Sequence, residues 1–171
     1  MILLVLSDTH RRTDRMITAA EIIKPDAVLH LGDYTEDIVE LQSHLPDIDC
    51  YAVPGNGDYD FDIDSETLLS FHGFKIFMTH GHKFGVKSGL DRLIRRAEAV
   101  GADLALFGHT HQALSRKYDG IWLFNPGQMS RHDERLAASY GVVTIDEKGF
   151  TCDIRMLPVN PSFSGGGMRY R

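Results

Sequence analysis

Cysteine is scarce: Cys50 and Cys152 are the only two in 171 residues. That is too few for a disulfide framework, so the expectation is two buried, reduced thiols in a cytoplasmic protein. Positive charge is also short, with 18 Lys and Arg against 24 Asp and Glu and a formal charge of −6. The deficit counts against a broad nucleic-acid interface, which carries a basic footprint. It leaves room for a small phosphorylated substrate, because bound cations reverse the local sign. No apolar run approaches the ~18–20 residues of a membrane helix. "MILLVL" at the start has no basic flank and stops at Ser7-Asp8, so it is not read as a secretory signal. There is no internal repeat. With 43% hydrophobic and 25% charged residues, the expectation is one globular domain over 1–159. Residues 160–171, "NPSFSGGGMRYR", are Gly/Ser-rich and read as a flexible tail.

What is present in excess is histidine, nine in all, and where these fall depends on the elements. "ILLVL" (2–6) is a wholly apolar run, as in a strand buried on both faces. Met16, Ile17, Ala20 and Ile23 keep helical spacing, with Thr13 as the expected N-cap and Pro25 as the stop. "AVLHL" (27–31) reads as a second buried strand, about 35–44 as a helix and "DCYAV" (49–53) as a third strand. That β-α-β-α-β order implies parallel strands with right-handed crossovers. "ETLLSF" and "FKIFMT" flank His72-Gly73 as a hairpin. Residues 89–100 read as an amphipathic helix stopped by Gly101, and "DLALF" (103–107) as another buried strand. "QALSRKY" and "IWLF" join through Asp119-Gly120, a type I′ turn signal, and "SYGVVTI" and "FTCDIRML" through "DEKG". The expected fold is α/β: two packed mixed sheets flanked by helices, parallel early and antiparallel late.

Five of these strands end in Asp, Asn or His, nearly always beside Gly or Ser. Asp8 and His10 follow the first, Asp33 the second and Asn56 the third. His80 and His82 follow "FKIFMT", and His109 and His111, in "GHTH", follow "DLALF". Carboxyl ends of parallel strands share an edge, and ligands bind there. Two aspartates, an asparagine and several histidines would then meet, and buried carboxylates need partners. Metal is the economical explanation. His30, His44, His72 and His132 are read as packing or surface residues, and Asp14, Asp26 and Asp37 as capping or surface acids.

The ordered series D-x-H, G-D, G-N, H-G-H and G-H-T-H resembles the calcineurin-like metallophosphoesterase superfamily, in particular its small YfcE-type phosphodiesterases. The resemblance spans about residues 1–157. It implies a four-layer sandwich with a dinuclear metal centre at one edge. By matching motif positions, Asp8, His10 and His111 would hold the first metal, Asn56, His80 and His109 the second, and Asp33 would bridge. The implied cofactors are two divalent transition-metal ions, manganese before iron, nickel, cobalt or zinc. The implied reaction is hydrolysis of a small phosphoester by a metal-bridging water. An anionic bridge suits two ions roughly 3.5–4 Å apart, and mixed N/O ligands suit these metals better than Ca or Mg.

Most of the superfamily reads G-N-H at the third motif, with the histidine helping to protonate the leaving oxygen. Here it is Gly55-Asn56-Gly57-Asp58. His82 is the candidate to replace that imidazole, against an alternative in which it only orients His80. Asp58 either orients a ligand or ends the turn. Gly57 is expected at positive φ. The competing functions are a phosphomonoesterase or nuclease on the same centre, or a protein-contact scaffold, as in the retromer subunit of this fold. A homo-oligomer is compatible with everything above.

Overall fold

The computed structural model describes residues 1–58, 64–130 and 137–157. The expected tail and His132 lie outside them. The elements are β1 (Ile2–Leu6), α1 (Thr13–Ile23), β2 (Ala27–His30), α2 (Asp37–His44), β3 (Asp49–Ala52), β4 (Glu66–Phe71), β5 (Phe74–Thr79), α3 (Asp91–Ala99), β6 (Leu104–Leu106), β7 (Leu114–Tyr118), β8 (Ile121–Asn125), β9 (Ser139–Asp146) and β10 (Gly149–Met156). A short 3-10 turn, His82–Phe84, follows β5.

They form two five-stranded sheets, β10-β9-β1-β2-β3 and β4-β5-β6-β8-β7. In the first, β1, β2 and β3 run parallel and β9 and β10 return antiparallel. In the second, β8 lies parallel to β6, although its hairpin with β7 is antiparallel. The late antiparallel expectation therefore fails at this pair. The hairpin places β7 outermost, so its second strand fills the gap beside β6.

Alternation along β1 explains the layers. Leu3 and Val5 face the second sheet, meeting Ile76, Met78, Leu104 and Leu106. Leu4 and Leu6 face outward onto Met16 and Ala19 of α1 and Ile38 and Leu41 of α2. Leu93 and Ala97 of α3 cover Phe77 and Ala105 on the far side. The result is the expected helix-sheet-sheet-helix stack.

The helix ends differ in detail from expectation. Thr13 is the first helical residue of α1, not its cap: Arg12 precedes it with no capping bond. The helix closes at Lys24, which is left-handed and donates its N–H to Ala20. Helix α2 begins at Asp37 because the Thr35 amide and hydroxyl are drawn to Asp58 instead. Asp119 (φ 44°) and Gly120 (φ 96°) make the turn the Asp-Gly pair announced. Cys50 and Cys152 are free but only half-buried, because β3 and β10 are the outer strands of their sheet. Burial, with an adjacent aspartate, still pushes the thiols to about 11 and about 12, so neither is a thiolate at neutral pH.

Candidate metal centre

The parallel strands β1, β2, β5 and β6 deliver the polar residues to one edge. Asp8, immediately after β1, is fully buried. Its Oδ2 accepts hydrogen bonds from the Ser7 hydroxyl at 2.5 Å and the His109 amide at 3.2 Å. Its Oδ1 is buried without a hydrogen-bond donor and lies 3.0 Å from His111 Nε2. That contact is not aligned as a hydrogen bond. One oxygen is thus anchored and the other aimed into the cluster. Gly108 permits this, since a Cβ there would collide with the Ser7 hydroxyl.

Asp33 is held in the same manner. Its Oδ1 accepts from the Gly57 amide at 2.8 Å and lies 3.6 Å from His80 Nε2, while Oδ2 lies 3.9 Å from His10 Nε2. Gly55 has no room for a side chain against Asp33. Donor atoms of Asp8, His10, Asp33 and His111 all lie within 4.8 Å of one another. His80 and His109 form a second pair beside Asp33 Oδ1, with His80 Nε2 3.2 Å from His109 Nδ1. His80 Nδ1 lies 2.7 Å from the Leu31 carbonyl and must donate to it. That fixes the neutral ring's lone pair on Nε2, facing His109.

Asn56 is exposed on the turn between Gly55 and Gly57, whose amides bind Asp58 and Asp33. His82 is half-buried, its ring 5.4 Å from that of His80 and 6.1 Å from that of His109. Gly57 is not left-handed, contrary to expectation. What keeps it small is space, since a Cβ would stand 3.2 Å from Asp33 Oδ1.

Among the described residues ten non-glycine residues have positive φ, including Asp8, His10, Asp33, His109 and His111, and also Arg11 and Tyr34 beside them. Each such residue costs of order 1–3 kcal/mol, and such strain gathers at functional sites.

Sequence reasoning missed several supports. Asp58 accepts from the amides of Asp33, Thr35 and Gly55 at 2.7–2.9 Å, tying two loops together. Asn125 is fully buried; its amide donates to Gly108 O and Thr110 Oγ1 and its oxygen accepts from Gly127, which shapes the "GHTH" turn. The visible signal was a lone polar residue in an apolar strand, "IWLFN". Asp37 is buried, not a surface acid, and it accepts from Thr9 and Arg11. Asp14, paired with Arg12, and Asp26 are the surface acids expected.

His30 is buried outright, and that burial carries its pKa from 6.5 down to about 4. Between those values the unfolded chain binds a proton that the folded chain refuses. The contribution is therefore complete above pH 6.5 and is lost as pH falls towards 4, by about 3 kcal/mol at most. Urea midpoints should drop from pH 7 to pH 4.5, and His30→Gln should flatten that slope. A His30→Gln protein with the wild-type slope contradicts the burial argument.

Residues 1–148 match the model of the calcineurin-like phosphoesterase superfamily domain. The chain belongs to that superfamily. The protein named "probable metallophosphoesterase YsnB", from Bacillus subtilis, is 35% identical over 154 residues, 88% of each chain. A phosphodiesterase of Methanocaldococcus jannaschii is 26% identical over 146 residues, covering 72% of this chain and 81% of its own. A crystal structure of a Streptococcus pneumoniae protein described as a predicted phosphoesterase superposes with a TM-score of 0.75 at 25% identity, covering 94% of this chain and 92% of that one.

This metallophosphoesterase is thus a phosphoester hydrolase of a family that uses divalent metals, and its donors fit such ions. Asp8 Oδ1 is an anionic acceptor without a donor. Burial, and then neighbouring His80, bring His109 down to about 4, so its ring is neutral at pH 7, as metal ligation requires. Burial works against the Asp8 charge, but His111, His80 and Ser7 outweigh it and hold the carboxyl below its ordinary value. His111 is correspondingly raised by Asp8. Among the described residues no helix is long and apolar enough to cross a membrane.

Proposed function

We propose that the protein is a metal-dependent phosphodiesterase acting on a small phosphoester with two divalent cations, manganese first among them. The observation that carries this reading is the orientation of Asp33: Oδ2 looks toward His10, and Oδ1 toward His80. One carboxylate therefore faces two separate sets of imidazoles. Asp8, His10 and His111 would hold the first ion, and Asn56, His80 and His109 the second, with Asp33 shared. When bound, the ions supply Lewis acidity toward phosphate and a nucleophilic water at neutral pH. Asp8 and Asp33 offset only part of their charge, so the edge stays cationic toward a phosphate. The diester preference is supported by relatives that carry that name, and a cytoplasmic location by the two unpaired thiols.

The test is metal analysis of purified, reloaded protein. Roughly two equivalents support the bridge; one equivalent removes it, and none leaves the fold as a scaffold for protein contacts. A panel of diesters, monoesters and oligonucleotides then separates phosphodiesterase from monoesterase and nuclease.

The proton for the leaving oxygen is the step this chain supplies least obviously. General acid assistance contributes ~10²–10⁴-fold, and Gly57 offers no imidazole. His82 is the candidate, set beside His80 with its Nδ1 buried and unbonded. Across aryl and alkyl esters, log kcat should fall steeply as the leaving-group pKa rises. Gly57→His should flatten the slope, and His82→Ala should steepen it if His82 is the acid. The Gly57 variant must push Asp33 aside by a few tenths of an ångström, so metal content is verified first. A loaded Gly57→His enzyme with an unchanged slope leaves Gly57 as a turn residue alone.

A further inference from the structure

A buried polar chain lies behind the metal edge, and its bond directions can be assigned from one end to the other. His30 Nδ1 is 3.2 Å from the Gly32 amide, which can only donate. The His30 proton is therefore on Nε2 and is given to Thr9 Oγ1 at 3.1 Å. The Thr9 hydroxyl in turn donates to Asp37 Oδ2 at 2.6 Å, while Thr9 Oγ1 also lies 3.2 Å from the Asp33 carbonyl. Asp37 Oδ2 accepts a second bond from the Arg11 amide at 2.9 Å. His30, Thr9 and Asp37 are 0%, 0% and 6% exposed.

Apart from the Asp33 carbonyl, which belongs to a candidate ligand, the chain's contacts fall beside candidate ligands. Thr9 stands between Asp8 and His10, Arg11 follows His10, and Gly32 precedes Asp33. The same stretches hold five residues in left-handed backbone: Asp8, His10, Arg11, Asp33 and Tyr34, with φ of 54°, 45°, 64°, 59° and 74°. Such conformations persist only where surrounding bonds over-determine them. The two loops meet through the Asp8 amide, which donates to the Gly32 carbonyl at 3.0 Å, and this network adds a second, side-chain tie between them.

We infer that His30, Thr9 and Asp37 are positioning residues that set the spacing of the Asp8–His10 and Asp33 loops and thereby the affinity of the first cation site. The inference rests on the metal reading above. It differs from general core stabilisation, because it requires the folded variant to bind cation less well. Outer partners of ligands typically contribute 10–100-fold in metal affinity.

The experiment is calorimetric titration of metal-free protein with Mn²⁺, beside its melting temperature without metal. Thr9→Val removes the hydroxyl at nearly constant shape and should weaken one Mn²⁺ site by 10–100-fold in protein that still melts cooperatively. Thr9→Ser restores the hydroxyl and should restore most of the affinity. Asp37→Ala, which removes the acceptor at the far end of the chain, carries the same test if Thr9→Val does not fold. The Thr9→Val/Asp37→Ala double variant should bind no worse than the weaker single variant, because both break one chain. Folded variants with wild-type Mn²⁺ affinity overturn the positioning role. Wild-type protein that binds no divalent cation overturns the metal reading and this inference with it.

Discussion

Asp33→Asn should lower turnover of an aryl phosphodiester by about 10³-fold or more, at or beyond the upper end of what one lost electrostatic contact costs. The geometry says which way the new amide would turn. Asp33 Oδ1 accepts the Gly57 amide at 2.8 Å, so the asparagine must keep its oxygen there. Its NH₂ then replaces Oδ2 on the side facing His10. On the proposed assignment a donor would stand where the first ion would need an acceptor, and the shared negative charge would be gone. Metal content should fall with activity, and the first site should empty before the second. The fold should survive, because the Gly57 bond is kept. If Asp33→Asn retains wild-type turnover and two bound metals, the bridging assignment is wrong.

Chelation should be equally decisive. EDTA should abolish hydrolysis of an aryl phosphodiester, and added Mn²⁺ should restore it. Neither the serine beside the site nor either cysteine can stand in as nucleophile. Ser7 is buried at the site, but its hydroxyl is committed to Asp8. Cys50 and Cys152 are on outer strands with thiols pushed far above neutral pH. Ions that bind the folded chain only should also raise its stability, by about 4 kcal/mol at a thousand times Kd. The melting temperature in EDTA should therefore climb with added Mn²⁺. Hydrolysis that persists after verified metal loss would point to a different chemistry.

The candidate donors were legible because they interrupt the sequence at strand ends, most of them beside a small residue. "GHTH" after "DLALF" announces itself in one dimension. His30 does not: inside "AVLHL" it looks like a packed core histidine, and only its bonds to Gly32 and Thr9 give it a direction. Asp37 was hidden for a related reason. An acid in the first turn of a helix is the ordinary helix-start signal, and nothing local says that its partners are 26 and 28 residues earlier. In the sequence Asp58 reads as orienting a ligand or ending the turn, because a loop clamp has the same local sequence as a turn acid. The parallel pairing of β6 with β8 was likewise invisible, since hairpin signals specify a strand's neighbour on one side only.

The left-handed backbone of the candidate ligands also sets a direction for drift. His10, Asp33 and His111 occupy backbone that glycine, and to a lesser degree asparagine, adopts more cheaply. While hydrolysis is under selection these side chains are retained against that gradient. In a lineage released from catalysis, glycine at the same positions would relieve backbone strain, so the site decays down a slope of rising stability. A descendant of this fold that had turned to binding alone would then carry its history as small residues at positions 10, 33 and 111.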